Sequence, residues 1–166
     1  MRDPDGFSAF VSAGAGRHLR AAYLLTGGNE ADAHDLLQAS LVKLCAAWDR
    51  VDTEGQPDAY LRRIMVNTYT SWWRRWRRHE VVADVPEAGH DPYHSLDERS
   101  RLLEGLRALT PGERVAVVLR HLEDLSEAQT AHTLGCSVGT VKSQTARGLA
   151  KLRRHLDLPS EEAHAR

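Results

Sequence analysis

Residues 125–155 read LSEAQTAHTLGCSVGTVKSQTARGLAKLRRH, and this stretch decides the fold. Ser126 followed by Gln129 is an S-x-x-Q capping box, the signature of a helix start. That helix runs to about Leu134 and stops at Gly135, because glycine tolerates the left-handed turn that ends a helix. Ser137 then offers a second N-cap, and Val141, Thr145, Leu149, Leu152 and Leu156 recur at three- and four-residue spacing. Two helices joined by a tight glycine turn form a helix-turn-helix.

The second helix carries Lys142, Arg147, Lys151, Arg153 and Arg154, and no acid falls between Cys136 and His155. At about 100° per residue, Ser143, Arg147, Ala150 and Arg154 lie opposite the apolar stripe, with Thr140 and Lys151 flanking. An apolar back and a basic front suit a phosphate-lined major groove, although a solvated face on an ordinary helical hairpin has the same charge pattern. The paired caps and the glycine turn favour the DNA reading.

The rest of the composition sets bounds. Hydrophobic residues make up 42% of the 166 positions and charged residues 27%, enough for a core on a water-soluble chain. The longest apolar runs, such as residues 115–119, are too short to enter a membrane, and early acids argue against a secretory signal. Cys45 and Cys136 stand alone, without metal-ligand spacing or a disulfide framework. A cytoplasmic location is therefore expected, with no cofactor, no metal and no membrane insertion. Net charge is −1, but the average conceals blocks. Residues 60–79 hold Arg62, Arg63, Arg74, Arg75, Arg77 and Arg78 and no acid, whereas residues 80–98 hold six acids and no Lys or Arg. Each basic block sets its own local field.

In chain order, Phe7, Phe10, Val11, Leu19, Ala22, Tyr23 and Leu25 predict a first helix, broken near residues 14–16. Asn29 caps a second, whose stripe is Ala33, Leu37, Leu41, Leu44 and Trp48. The opposite face mixes Asp32, Asp35, Gln38, Ala39, Val42 and Lys43, as a partner surface would. Residues 51–58 read as a loop. A long helix over about 59–78 then places Leu61, Ile64, Met65, Thr68, Trp72 and Trp76 on one side and Arg63, Asn67, Thr70, Arg74 and Arg77 on the other, with Trp73 at the edge. An aromatic among arginines can stack on an unpaired base. Residues 80–96 lack a helical period and carry Pro86, Gly89 and Pro92, which predicts a flexible acidic linker. A short helix with Leu102, Leu103, Leu106 and Leu109 leads to a strong restart at Thr110, Pro111 and Glu113, and Glu123 and Asp124 end the helix that follows. No strand pattern is present. The expected fold is all-α: two small helical domains, 1–79 and 98–158, a linker at 80–97, and a tail at 159–166.

Two blocks together resemble the compact, two-domain extracytoplasmic-function sigma factors of the sigma-70 class. NEADAHDLLQASLVKLCAAWDRV with DAYLRRIMVNTYTSWWRRWRR is similar to that family's domain 2, and LTPGERVAVVLRHLEDLSEAQTAHTLGCSVGTVKSQTARGLAKLR to its domain 4. The resemblance implies a dissociable subunit of bacterial RNA polymerase. Domain 2 would read and melt the minus-ten promoter element, and domain 4 would bind the minus-thirty-five element. It implies contacts to the polymerase beta-prime clamp through Asp35, Leu36, Gln38 and Ala39, contacts to the beta flap, and capture of a flipped base by the 51–58 loop. It implies minus-ten contacts from Arg63, Asn67, Thr70, Trp73, Arg74 and Arg77, and minus-thirty-five contacts from Thr140, Lys142, Ser143, Gln144, Ala146, Arg147 and Lys151. An anti-sigma protein is a further candidate partner. His34 and Ala39 stand where the family often has acids, Thr130 where it has an aliphatic residue, and Gln144 where it often has Arg. The main alternative is a helix-turn-helix regulator that binds duplex DNA without polymerase. Nine scattered histidines prompt an enzyme reading, but no H-E-x-x-H, paired-Cys or phosphate-loop motif supports it, so no catalysis is expected.

Overall fold

The computed structural model describes residues 3–79 and 98–157. These form seven α-helices: α1 (Pro4–Leu25), α2 (Glu30–Glu54), α3 (Pro57–His79), α4 (Glu98–Ala108), α5 (Pro111–Val117), α6 (Glu127–Leu134) and α7 (Val138–Asp157). There is no strand among the described residues. The linker expected at 80–97 lies outside them.

Domain 2 is built from α1–α3. Asp3 caps α1 by accepting from the Gly6 N–H at 2.8 Å, and Pro4 opens the helix. The expected break at residues 14–16 does not occur, and α1 is continuous. Gly14 is there for space: a Cβ on it would lie 2.2 Å from the His18 ring. His18 accordingly folds back along its own helix, and its Nε2 lies 2.8 Å from Asp58 at the start of α3, where Arg17 also donates at 2.6 Å. Burial pushes the Asp58 carboxyl up, but the His18 and Arg17 contacts outweigh it and hold the group below the usual carboxylate range. The α2 stripe closes on α1 and α3 through Ala33, Leu36, Leu44 and Trp48, and Phe7 and Phe10 pack on Trp48 with ring centroids 5.3 and 5.4 Å away. Fully burying a leucine such as Leu36 or Leu44 contributes roughly 1.5–3 kcal/mol.

The loop expected at 51–58 is much shorter. Helix α2 continues to Glu54 and α3 begins at Pro57, leaving Gly55 and Gln56 between them. The same residues that signal a loop act here as helix punctuation. Gly55 takes φ +71° past the end of α2, and Pro57 opens α3 with its preset φ.

Domain 4 is built from α4–α7, and its expected caps form. Thr110 accepts from the Glu113 N–H while the Glu113 carboxylate accepts from the Thr110 N–H, and Ser126 and Gln129 do the same at α6. Gly135 is left-handed at φ +66°, and Ser137 accepts from the Thr140 N–H at 3.1 Å. Helix α5 ends in a π-helical turn, Val118–Leu122, closed by Glu123 N–H to the Val118 carbonyl at 2.8 Å. Asp124 then turns the chain at φ +56°, a region aspartate tolerates better than most residues. Thr130 is fully buried, with no hydrogen-bond partner for its hydroxyl among the described residues. An orphaned buried hydroxyl is costly, so Thr130→Val should stabilise the chain by about 1 kcal/mol in urea denaturation. Unchanged or lower stability would show that the hydroxyl is satisfied.

Candidate nucleic-acid and partner surfaces

Helix α7 lies across α5 and α6, burying Val141, Gly148 and Leu152. Thr140, Lys142, Ser143, Ala146, Arg147, Ala150, Arg153 and Arg154 are exposed on its outer side, and Gln144 is half-buried. Gln144 leans over α5: a Cβ placed on Gly112 would lie 3.1 Å from its amide. Leu156, expected in the stripe, is 38% exposed, although its carbonyl accepts from Arg101 of α4 at 2.8 Å. Thr140 shares its hydroxyl with Ser137 at 2.9 Å, and Lys142 lies 3.8 Å from Glu127 on α6.

Lys151 is placed differently from its outer-face neighbours. Its ammonium donates to both oxygens of Glu113, at 3.0 and 2.8 Å, and Glu113 is only 4% exposed. Burial pushes the Glu113 carboxyl up, but the bonds from Lys151 and Thr110 prevail and hold it below its ordinary range. Lys151 thus ties α7 to the cap of α5. It is already paired before DNA arrives.

On α3, Leu61, Met65, Val66, Thr68 and Tyr69 are buried, and Arg63, Asn67, Arg74, Arg75, Arg77 and Arg78 are exposed. Thr70 spends its hydroxyl on the Val66 carbonyl at 2.8 Å. Trp72 and Trp73 are half-buried. Trp76, expected on the buried side, is 43% exposed and rests against Trp72 with centroids 6.2 Å apart. Its side of α3 has run past the apolar cover of α1 and α2. An exposed tryptophan among four arginines is therefore part of this surface, and its arginine neighbours were the signal for it in the sequence.

On α2, Asp35 and Gln38 are exposed and Ala39 is half-buried. Leu36 is 0% exposed, so it supports this face from beneath and cannot form part of it. The family resemblance, not the spacing, counted it among the clamp contacts; the buried side of α2 includes Leu36 and Ser40. Leu37, Leu41 and Val42 border a largely apolar groove beside Gln38, and Val42 is 66% exposed. Acceptors next to exposed aliphatic residues make a surface for protein rather than for phosphate.

Among the described residues no cluster of His, Cys, Asp or Glu could hold a metal, and no helix is long and apolar enough to cross a membrane.

The outer face of α7 offers a guanidinium beside small polar groups, a donor set that reads base edges in a major groove. Arg147→Ala should flatten preference at one base position and cost about 1–3 kcal/mol of discrimination there, measured by binding of the polymerase-bound chain to a promoter library. Intact preference at every position would mean that α7 enters the groove in another orientation.

Comparison with known proteins agrees with this arrangement. Residues 11–79 match the family model for sigma-70 region 2, and residues 99–152 match that for sigma-70 region 4. The chain is 42% identical over 136 residues to the RNA polymerase sigma-E factor of Streptomyces coelicolor, covering 81% of this chain and 77% of the relative. It is 34% identical to the ECF RNA polymerase sigma factor SigE of Mycolicibacterium smegmatis, covering 89% of this chain and 60% of that one. Among solved structures, the sigma factor RpoE in complex with the anti-sigma factor NepR from Bartonella quintana has the same fold. The TM-score is 0.76 at 24% identity, over 92% of this chain and 98% of the other. CnrH in complex with the cytosolic domain of CnrY gives a TM-score of 0.61 at 29% identity, over 93% and 89% of the two chains. With a region 2 and a region 4 in the right order, and relatives of this similarity over most of their length, the chain belongs to the extracytoplasmic-function group of the sigma-70 family.

Proposed function

We propose that the chain selects promoters for core RNA polymerase, engaging the minus-thirty-five element through α7 and the minus-ten element through α3, and helping to open the DNA. One observation carries this reading: a single chain joins a region 2 with an exposed Arg–Asn–Trp face to a region 4 with an exposed recognition-helix face. A duplex-only regulator would have no use for the first of these. In this reading Arg63, Asn67, Arg74 and Arg77 follow the strand backbone and bases, while Trp73 and Trp76 supply stacking surfaces for unpaired bases. Thr70, its hydroxyl already engaged, contributes shape. On α7, Ser143, Ala146 and Arg147 face base edges, Thr140, Lys142 and Gln144 flank them, and Lys151 acts structurally. RNA synthesis belongs to the polymerase, and the chain itself catalyses nothing. Its place of work is where polymerase is, in the cytoplasm. One similar solved structure is a complex with the anti-sigma factor NepR and another a complex with the cytosolic domain of CnrY, which supports an anti-sigma protein as a further partner.

The polymerase contact is assigned to Asp35, Gln38 and Ala39, with the groove of Leu37, Leu41 and Val42 beside them. The experiment is co-elution of the chain with core polymerase, followed by transcription from the loaded enzyme. The wild-type chain should co-elute, and the Asp35→Ala, Gln38→Ala double variant should bind at least tenfold more weakly with its melting temperature nearly unchanged, since both side chains are exposed. Normal binding by the double variant would place the clamp contact elsewhere. No binding by the wild type would remove the proposed function.

A further inference from the structure

Lys142 stands near the start of α7, and its ammonium lies 3.8 Å from the Glu127 carboxylate on the first turn of α6. Between Cys136 and His155 the recognition segment holds no acid of its own, so the carboxylate at this end comes from the other helix. The pair does little for stability. Its side chains are 63% and 41% exposed, and the attraction between exposed charges is largely screened.

Neighbouring polar groups are already engaged. The Ser126 and Gln129 side chains accept from each other's backbone N–H groups, and the Ser137 and Thr140 hydroxyls share a contact at 2.9 Å. Lys142 and Glu127 are left as a charged pair at the outer edge. The surface beside them is bare. Among the described residues, a Cβ on Gly139 would find only the Ser137 Oγ, at 3.8 Å, and one on Gly135 would find nothing within 4 Å. A duplex can approach closely at this end.

A donor and an acceptor held side by side match the edge of one base pair. In the major groove a G·C pair presents the guanine O6 and N7 acceptors beside the cytosine N4 donor. O6 and N4 are hydrogen-bonded partners, about 3 Å apart. An ammonium suits the two guanine acceptors, and a carboxylate suits the cytosine amine, which has no acceptor next to it. Adenine sets N7 beside its amine, where a carboxylate would meet a lone pair, and thymine sets a methyl group beside O4.

We infer that Glu127 determines specificity: together with Lys142 it reads one G·C pair of the minus-thirty-five element, guanine at the lysine and cytosine at the glutamate. This rests on the sigma-factor reading of α7. Lys142 flanks the base-facing row of α7 on the side toward α6, and Glu127 completes the row there.

The test is binding of chain-loaded core polymerase to a promoter library randomised across the minus-thirty-five element. The wild-type chain should favour a G·C pair at one position other than the one read by Arg147. Glu127→Ala should reduce that preference about tenfold and leave the Arg147 position unchanged. Affinity averaged over the library should stay the same or rise, because a carboxylate near phosphates has been removed. A purely structural role would lower all affinities together. The exchange of Glu127→Lys with Lys142→Glu keeps the ion pair and should turn the preferred pair into C·G. Glu127→Ala with every preference intact, or an exchanged pair that keeps the parental preference, overturns the assignment and leaves promoter selection standing. A wild-type chain that confers no sequence preference at all removes the promoter-selecting role itself.

Discussion

Lys151→Ala should lower the stability of domain 4 by about 2 kcal/mol, measured by urea denaturation, an effect that a phosphate-contacting lysine would not produce. Its partner Glu113 is almost wholly buried, and removing one member of a fully buried ion pair typically costs about 3–5 kcal/mol. The lysine side chain is 38% exposed, so part of its interaction is screened and the lower figure follows. The pH dependence provides a second readout. In the folded chain the Glu113 carboxyl lies below its ordinary value, so the stability it contributes is present above the ordinary carboxylate range and is lost as pH falls through the folded value. Without Lys151, burial is less opposed and the folded value rises toward the unfolded one, so the stability lost on acidification should shrink. A Lys151→Ala chain with unchanged stability and uniformly weaker DNA binding would restore the phosphate reading.

Asn67→Ala and Arg74→Ala should each reduce open-complex formation on a duplex promoter by about tenfold or more, and a pre-melted minus-ten bubble should recover part of the loss. Opening the duplex requires a few kcal/mol of unstacking before any single-strand contact forms, so a weakened contact is felt most when it must offset that cost. Both side chains are exposed on α3, and truncating them removes no core packing. Permanganate reactivity of unpaired thymines measures the open fraction. Equal defects on duplex and bubble templates would assign these residues to general phosphate binding.

Much of this is legible in the sequence, for reasons that are local. Caps at Thr110, Ser126 and Ser137 and the left-handed Gly135 act within four residues, so the chain between 110 and 140 could be read directly. Periodicity located the outer faces of α3 and α7 for the same reason. Features that depend on a distant partner were not legible. Glu113 lies 38 residues from Lys151, and nothing in the spacing shows that the lysine turns inward. Gly14 read as a break because the sequence does not show the His18 ring occupying its missing side chain. Arg114 on α5 joins two domains across 45 residues to Tyr69, a contact that no local spacing announces. Trp76 marks the limit of a helical wheel. The wheel gives direction, and the neighbours decide whether that direction is covered.

The most direct test of the promoter-selecting role is run-off transcription from genomic DNA fragments with purified core polymerase and the full chain, with transcript starts mapped to the base. Starts that depend on the chain should share two upstream motifs at a fixed separation, one at minus ten and one at minus thirty-five, and Arg147→Ala should alter only the distal motif. Transcripts no different from those of core polymerase alone, together with tight binding of the chain to a palindromic duplex in the absence of polymerase, would contradict the account and identify the chain as an ordinary duplex-binding regulator.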